Sequence, residues 1–354
     1  MNDETSIIPP NKTINESELF MKYKSSYTSA FIDLLVHTFL MYSSLYLLCY
    51  FRNSWFSIFT INFVTLMLSR TFAIFHDCGH NSYTPNKALN YIIGSLAGIL
   101  IQHSFTWNYQ HNNHHLTNGN ITNNLNHKYN EFVFHTLNQY KHFPQIARHL
   151  YKIIRTPYIF YPIFVVYYIL FHHKISILIY NYFKMKPYKQ SFIIVTFDFI
   201  LHIFISLYWL RYINNNEFLY HMIVAYWIYF IYVMMLFNSQ HTFNPSYIVN
   251  TKNWNSKDSG LIGSSFIQIP YLLKYIHMGV EYHHIHHMNA KIPGYNLQKY
   301  HEEVVSKSNM FDNVVKLSMN DCYNNLWLVL YDEDKKKYIT FAEADEEIRK
   351  DKLK

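Results

Sequence analysis

Long apolar segments constrain the fold of this chain more than any other feature. Four of them, at 30–51, 55–75, 192–210 and 218–237, match the length of a helix that crosses roughly 30 Å of hydrocarbon. Half of the residues are hydrophobic and only 15% are charged, against about 25% in ordinary soluble domains. This composition excludes a disordered chain, and three cysteines are too few for a disulfide scaffold. We predict an all-α integral membrane protein.

Short polar loops at 52–54 and 211–217 join these segments in pairs, which predicts two helical hairpins. Most lysines lie in the terminal and middle segments, so the positive-inside rule predicts that both termini are cytosolic. A soluble helical protein with thick core helices is the alternative. Arg70 is expected to snorkel or to meet an acidic partner.

Three regions follow from this pattern. Residues 1–29 are expected to be a disordered cytosolic leader, residues 30–301 the membrane domain, and residues 302–354 a charged cytosolic tail. The apolar stretch at 88–101 is short for a crossing and is expected to be re-entrant or interfacial.

Histidine is unusually frequent, with 22 residues, and much of it is clustered. One H-x-x-x-H box and two H-x-x-H-H boxes follow one another along the chain: His76 and His80; His111, His114 and His115; His283, His286 and His287. Residues three and four apart share a helix face, so each box is expected to direct its imidazoles at one spot. Neutral imidazole is the commonest metal ligand. Eight ligands exceed the four of a zinc site and suit two metal ions, with iron, copper, zinc and nickel all open.

The boxes and the residues that flank them, at 75–82, 107–115 and 282–295, resemble the membrane fatty acid desaturase family, and within it the acyl-lipid omega-6/delta-12-like branch. The similarity covers roughly residues 30–301. It implies four transmembrane helices with a cytosolic helical cap, and a diiron centre held by the eight box histidines. His284 is the interposed residue of the third box.

Four further residues beside these ligands are candidates for the site. The resemblance implies a ninth ligand after the fourth crossing, for which His241 is the candidate. Asn238, on the same helix face, is a candidate water-bridged ligand or an ordinary helix-end residue. Asp77 and Glu281 adjoin the first and third boxes and are candidate carboxylate partners of the ligands, or simply solvated acids.

Removing hydrogen from unactivated methylenes is beyond side-chain acids and bases, so a metal cofactor has to supply the oxidation. The resemblance therefore implies a desaturase that introduces a cis double bond into an acyl lipid, with two Fe ions, O2, and two electrons from an external donor such as cytochrome b5 or ferredoxin. A hydroxylase or conjugase on the same scaffold is the first alternative. A polytopic metal transporter is more distant, because its ligands would lie mid-membrane.

The other expected partners are the membrane itself and a fatty acyl lipid, and no nucleic acid. The last five residues, 350–354, match a dilysine retrieval pattern, which predicts the endoplasmic reticulum.

Overall fold

The structure is a computed structural model that describes residues 15–105, 107–122, 134–165 and 216–353, together with isolated positions between 167 and 208. The first element, α1 (Glu16–Tyr23), lies in the segment expected to be disordered. It is ordered because Leu19 is buried in a cluster with Tyr300 and Val304. Lys22 also binds Glu303 at 2.5 Å.

Helices α2 (Tyr27–Phe51) and α3 (Ser57–Gly79) form the first predicted hairpin. The side chain of Ser26 begins α2 by accepting a hydrogen bond from the Ser29 amide. Both helices are long and apolar enough to cross a membrane, but α3 is much more buried than α2. Large apolar side chains such as Phe31, Phe39 and Tyr46 are exposed along α2. This surface suits a lipid environment.

The middle of the chain adds shorter elements and a third long helix. These are α4 (Lys87–Leu100), α5 (Trp107–Thr117), β1 (His135–Thr136), α6 (Leu137–Lys141), α7 (Gln145–Arg155) and α8 (Asn216–His241). A helical turn at Pro157–Ile159 and a π-helix at Phe160–Val165 follow α7. Among the described residues, α8 is the third helix that is long and apolar enough to span a membrane. More than half of the crossing predicted at 192–210 lies outside the described residues, which include only scattered positions of it.

The rest of the chain consists of short elements. They are α9 (Ser256–Leu261), β2 (Phe266–Ile267), a 3-10 turn (Tyr271–Leu273), α10 (Lys274–His277), α11 (His283–Met288), α12 (Gly294–Lys307), β3 (Lys316–Leu317), α13 (Met319–Asn325), β4 (Leu330–Asp332), β5 (Lys337–Ile339) and α14 (Phe341–Leu353). Strand β2 pairs in parallel with β3. Strand β4 is central in a second sheet, parallel to β1 and antiparallel to β5.

The charged C-terminal segment is a folded unit rather than a bare tail. Its apolar residues Val329, Leu330 and Ile339 share a core with Leu137 and Tyr140 of α6. Ion pairs add to this contact, since Lys141 lies 2.6 Å from Asp351 and Lys152 binds Asp345. The unit therefore covers α6 and α7 on one side.

Arg70 is paired with an acid, which is one of the two outcomes expected from the sequence. Its side chain is 2% exposed and binds the carboxylate of Asp33 on α2. The Tyr83 hydroxyl donates to the other oxygen of Asp33 at 2.9 Å. The guanidinium also donates to the carbonyl of Tyr275 and lies 3.8 Å from its ring. One buried cation thus joins α2, α3 and the chain just before the third box.

Asp33→Asn is expected to destabilise the protein by about 3–5 kcal/mol, because it leaves a buried guanidinium without a counter-charge. Unfolding of the detergent-solubilised protein measures this loss. Lys257→Gln breaks an exposed pair with Glu16 and is the control, with an expected effect below about 1 kcal/mol. Equal small effects of both changes would contradict a structural role for the buried pair.

A cluster of aromatic residues packs beside the third box. His301 stacks on Phe311 at 5.2 Å between ring centroids and on Phe266 at 5.2 Å. Burial lowers the pKa of His301 to about 4, with a smaller contribution from Lys316. The unfolded chain therefore takes up a proton here below about pH 6.5, whereas the folded protein does so only near pH 4, and folding becomes less favourable as the pH falls through this window.

Stability should therefore fall as pH decreases from about 7 towards 4, and part of this fall should disappear in His301→Phe. Melting temperatures at pH 7.5 and 5.0 measure it. The exposed His149→Phe is the matched control and should keep the wild-type difference. The assignment is wrong if His301→Phe retains the full acid sensitivity.

Candidate metal centre

The ends of four helices bring the boxes together. His76 lies in the last turn of α3, and His80 follows at its C-cap. The second box lies on α5, the third on α11, and His241 is the last residue of α8. The nine candidate ligands form two groups, and within each group the potential ligand atoms lie within 4.8 Å of one another.

The first group has five members: His76, His80, His111, His115 and His286. The Nε2 atoms of His76 and His111 are 2.8 Å apart, and those of His111 and His115 are 3.2 Å apart. His286 approaches His115 at 3.0 Å. Trp107, one turn before His111, stacks on that ring at 4.5 Å and fixes its plane.

The second group has four members: His114, His241, His283 and His287. His241 Nε2 lies 3.0 Å from His114 Nε2 and 2.9 Å from His283 Nε2. The two groups touch, because the rings of His115 and His287 stack at 4.0 Å.

Neither H-x-x-H-H box points at a single spot, so that expectation from the sequence is wrong. On α5, His111 and His115 belong to the first group, whereas His114 belongs to the second. On α11, His283 and His287 belong to the second group and His286 to the first. The reason is helical geometry, since residues four apart are only about 40° apart around the axis, whereas the third histidine points further round the helix. Each box therefore serves both groups.

These histidines fit a pair of metal ions. Two nitrogen ligands about 2.1 Å from one ion and at right angles lie about 3.0 Å apart, which agrees with the observed Nε2 separations. His80 Nε2 and both ring nitrogens of His287 are buried without a hydrogen-bond partner among the described residues. Buried polar atoms are rarely left unsatisfied. A bound cation would satisfy one nitrogen of each of these rings.

Burial also keeps the imidazoles in the form that binds metal. Desolvation lowers the pKa of His80, His115 and His287 well below the ordinary value of 6.5, and the neighbouring histidines lower it further. The pKa is lowered in the same way in four more candidate ligands: His111, His114, His283 and His286. The rings are therefore neutral near pH 7, with lone pairs available to a cation.

A carboxylate and a backbone carbonyl contact two of the candidate ligands, His76 and His241. Asp77 Oδ1 lies 3.5 Å from Nδ1 of His76, and its Oδ2 accepts a hydrogen bond from the Gly294 amide at 2.6 Å. Gly294 has no room for a side chain, because a Cβ there would lie 2.2 Å from the Met278 carbonyl oxygen. His241 Nδ1 donates to the Gly263 carbonyl at 3.3 Å. No residue pattern indicates this carbonyl, because a contact with the backbone does not depend on residue type.

Three nearby residues differ from Asp77 in their contacts: Glu281, Asn238 and His284. Glu281 is buried, its Oε2 has no hydrogen-bond partner among the described residues, and burial raises its pKa to about 7. Asn238 is buried beside His241, and its amide nitrogen is also without a described partner. His284 belongs to neither group and packs against Phe311 and His301.

An apolar cavity adjoins the histidines. It extends along α8 from Tyr229 to Gln240, about 16 Å at the helical rise per residue. Phe72, Trp107 and Val233 are among its apolar walls, and His76, His111, His283 and His286 lie at its polar end. A long apolar chain in this cavity would lie against both histidine groups.

Comparison with known proteins agrees with this arrangement. Residues 53–313 match the family model described as fatty acid desaturase. The chain is 27% identical over 323 residues to a fatty acid desaturase of Bacillus subtilis (strain 168), covering 87% of this chain and 84% of that protein.

Two cyanobacterial proteins of Synechocystis sp. are also similar. An sn-1 oleoyl-lipid 12-desaturase is 24% identical over 66% of this chain and 64% of its own length. An sn-1 acyl-lipid omega-3 desaturase (ferredoxin) is 34% identical over 32% of this chain and 33% of its own length.

These bacterial relatives argue against the endoplasmic reticulum, which the last five residues had suggested. The structure offers another role for one of the lysines, because Lys350 lies within α14 and binds Glu346 at 2.8 Å.

The family match covers well over half of the chain and includes all nine histidines of the two groups. The chain belongs to the fatty acid desaturase family, and it is therefore an oxidoreductase.

Proposed function

We propose that this protein introduces a cis double bond into the acyl chain of a membrane lipid, with O2 and two external electrons, at a diiron centre held by the nine histidines. The observation that carries this proposal is the position of the two touching histidine groups at the end of a long apolar cavity. An acyl chain in the cavity would bring its methylenes to the metal site while the walls exclude water.

The residues of the chain have separate parts in this reaction. The histidines are neutral donors that would hold two Fe ions, and these ions would supply the oxidising chemistry with O2 when bound. Asp77 contacts both the His76 ring and the Gly294 amide, and it thereby fixes their relative position. Trp107, stacked on His111, closes the cavity beside the site.

The finer specificity is proposed from the relatives. The name of the Synechocystis oleoyl-lipid 12-desaturase supports a delta-12, omega-6 type of activity on an acyl lipid. The name of its omega-3 counterpart supports ferredoxin as the electron donor. We also propose four crossings in two hairpins, with the histidine groups and both termini on the cytosolic side, where such a donor is found.

Expression in yeast with a ferredoxin and its reductase should yield a new dienoic fatty acid, because oleoyl lipids are abundant there. Gas chromatography–mass spectrometry of the methyl esters detects the product, and double-bond mapping gives its position. His114→Ala should abolish the product because it removes a ligand of the second group.

The exposed His149→Ala is the control for histidine loss and should keep the product. A hydroxylated fatty acid would instead assign the hydroxylase alternative. Absence of any lipid product from wild-type protein that binds iron would contradict the proposed substrate and donor.

Asp77→Asn tests the orienting carboxylate. Asparagine can still accept the Gly294 amide through its side-chain oxygen, but it lacks the charge beside His76. Loss of such a partner of a metal ligand lowers metal affinity or activity by about 10–100-fold. We expect kcat to fall by that factor with little change in KM. Unchanged kcat in a well-folded variant would show that Asp77 serves packing alone.

A further inference from the structure

Two lysines without an acidic partner lie beside the first histidine group. Lys291 comes shortly after the third box, and its ammonium donates a hydrogen bond to the backbone carbonyl of His80 at 2.5 Å. Partial burial lowers the pKa of Lys291, and the positive charge of Lys87, the first residue of α4, lowers it further, which indicates that the two ammonium groups are close. None of the ion pairs in the described part of the chain includes either lysine. The two positive charges beside this group are therefore not compensated.

Helix ends account for one of these lysines but not for the other. His80 is the C-cap of α3, and a cation near the C-terminus of a helix interacts favourably with the partial negative charge there. Lys87 is exposed and lies at the N-terminus of α4, where the helix dipole disfavours a positive charge. The charge of Lys87 thus does not stabilise the helix that carries it.

The residues around the two lysines form an open and uncharged surface. Asn81, which follows His80, and Asn112, whose side chain hydrogen-bonds the His80 ring, are both exposed. Leu116 follows Asn112 by one turn of α5 and is 68% exposed. An exposed apolar residue among polar groups, with charges at the edge, is typical of a small transient protein interface. We call these five residues the lysine surface: Asn81, Lys87, Asn112, Leu116 and Lys291.

Little protein separates the lysine surface from the first histidine group. Asn112 and Lys291 both contact His80, and the ring of His115 lies 4.6 Å from the ring of His80. His115 is itself only partly buried. Transfer of an electron between proteins slows steeply with distance, so a donor has to dock where the metal ligands are thinly covered. The lysine surface meets this condition.

The charge of this surface favours an acidic protein as the donor. A basic patch attracts an acidic partner at long range and orients its approach. The proposed reaction needs two external electrons, and a patch beside the ligands would guide their carrier to the place where they are used. Lys141 and Lys152 are less suited to this role, because Asp351 and Asp345 neutralise them.

We propose that the lysine surface docks an acidic electron-carrier protein, and that electrons enter the first histidine group beside His80. Each encounter oxidises the carrier by one electron and reduces the metal pair by one. Two encounters thus supply one turnover, and no covalent bond forms or breaks between the partners. The inference rests on the proposed function, and it adds to it the place and the charge of the electron-donating partner.

Binding of an oxidised two-iron ferredoxin tests the surface without turnover. The iron-loaded protein is placed in nanodiscs of zwitterionic phosphatidylcholine, and biolayer interferometry gives the Kd. Lys87→Glu should raise the Kd about tenfold at about 0.02 M ionic strength, and the difference should shrink at about 0.3 M because salt screens exposed charges. Lys87→Arg keeps the charge and should keep the wild-type Kd. The control is Lys336→Glu, exposed in the turn between β4 and β5, which should also keep it.

Rates of reduction separate docking from damage to the metal site. Lys87→Glu should slow reduction by ferredoxin about tenfold. Reduction by photochemically reduced deazariboflavin, a small molecule that needs no docking surface, should be unchanged. If the protein desaturates no lipid, the proposed function fails, but the binding comparison still decides where the carrier docks.

Four results would overturn the inference. The first is the absence of salt-sensitive ferredoxin binding by wild type, and the second is an equal Kd for wild type and Lys87→Glu. The third is an equal loss in Lys336→Glu, which would reflect net charge alone. The fourth is an effect of Lys87→Glu that appears only in nanodiscs of anionic phosphatidylglycerol, because the lysines would then bind lipid headgroups.

Discussion

The packing of nine imidazole rings into two touching groups, seven of them buried and those of His115 and His241 partly buried, is the constraint on which the rest of this structure depends. A buried polar group is unfavourable unless it is paired, and several nitrogens here face only other imidazole nitrogens. Neutral rings cannot all be satisfied by donating to one another. Two shared cations would resolve this conflict, and four helices have to bring their histidines to one place for the rings to reach them.

The ion pair of Arg70 with Asp33 helps to hold the helices so that their histidines come to one place. It joins α2 to α3 nearly two helical turns before His76, and it reaches the backbone before the third box through Tyr275. A buried ion pair contributes little net stability, but it is sensitive to geometry. Its value here is to fix how α3 is placed against the segment that carries the third box.

Local patterns in the sequence predicted the parts that depend on local chemistry. The apolar segments predicted three of the long helices, and histidine spacing identified eight of the nine histidines that the structure gathers into two groups. The ninth, His241, was a candidate only through the resemblance to the family. The partition of each box between both groups was not predictable in the same way, because it depends on how α5 and α11 are rotated against α3 and α8. The folding of the C-terminal segment was also missed, since β4 pairs with a two-residue strand almost 200 positions earlier.

Two cavities adjoin the histidines and share Phe237 as a lining residue. One is apolar and lies among the helices, and the other is more polar and is lined in part by the C-terminal unit. All of this chemistry depends on what the histidines hold. The most direct measurement is metal analysis of the purified protein combined with iron X-ray absorption. We predict two irons per chain, with nitrogen and oxygen neighbours near 2.1 Å and no sulfur. A single ion per chain, zinc in place of iron, or no bound metal would contradict a diiron centre.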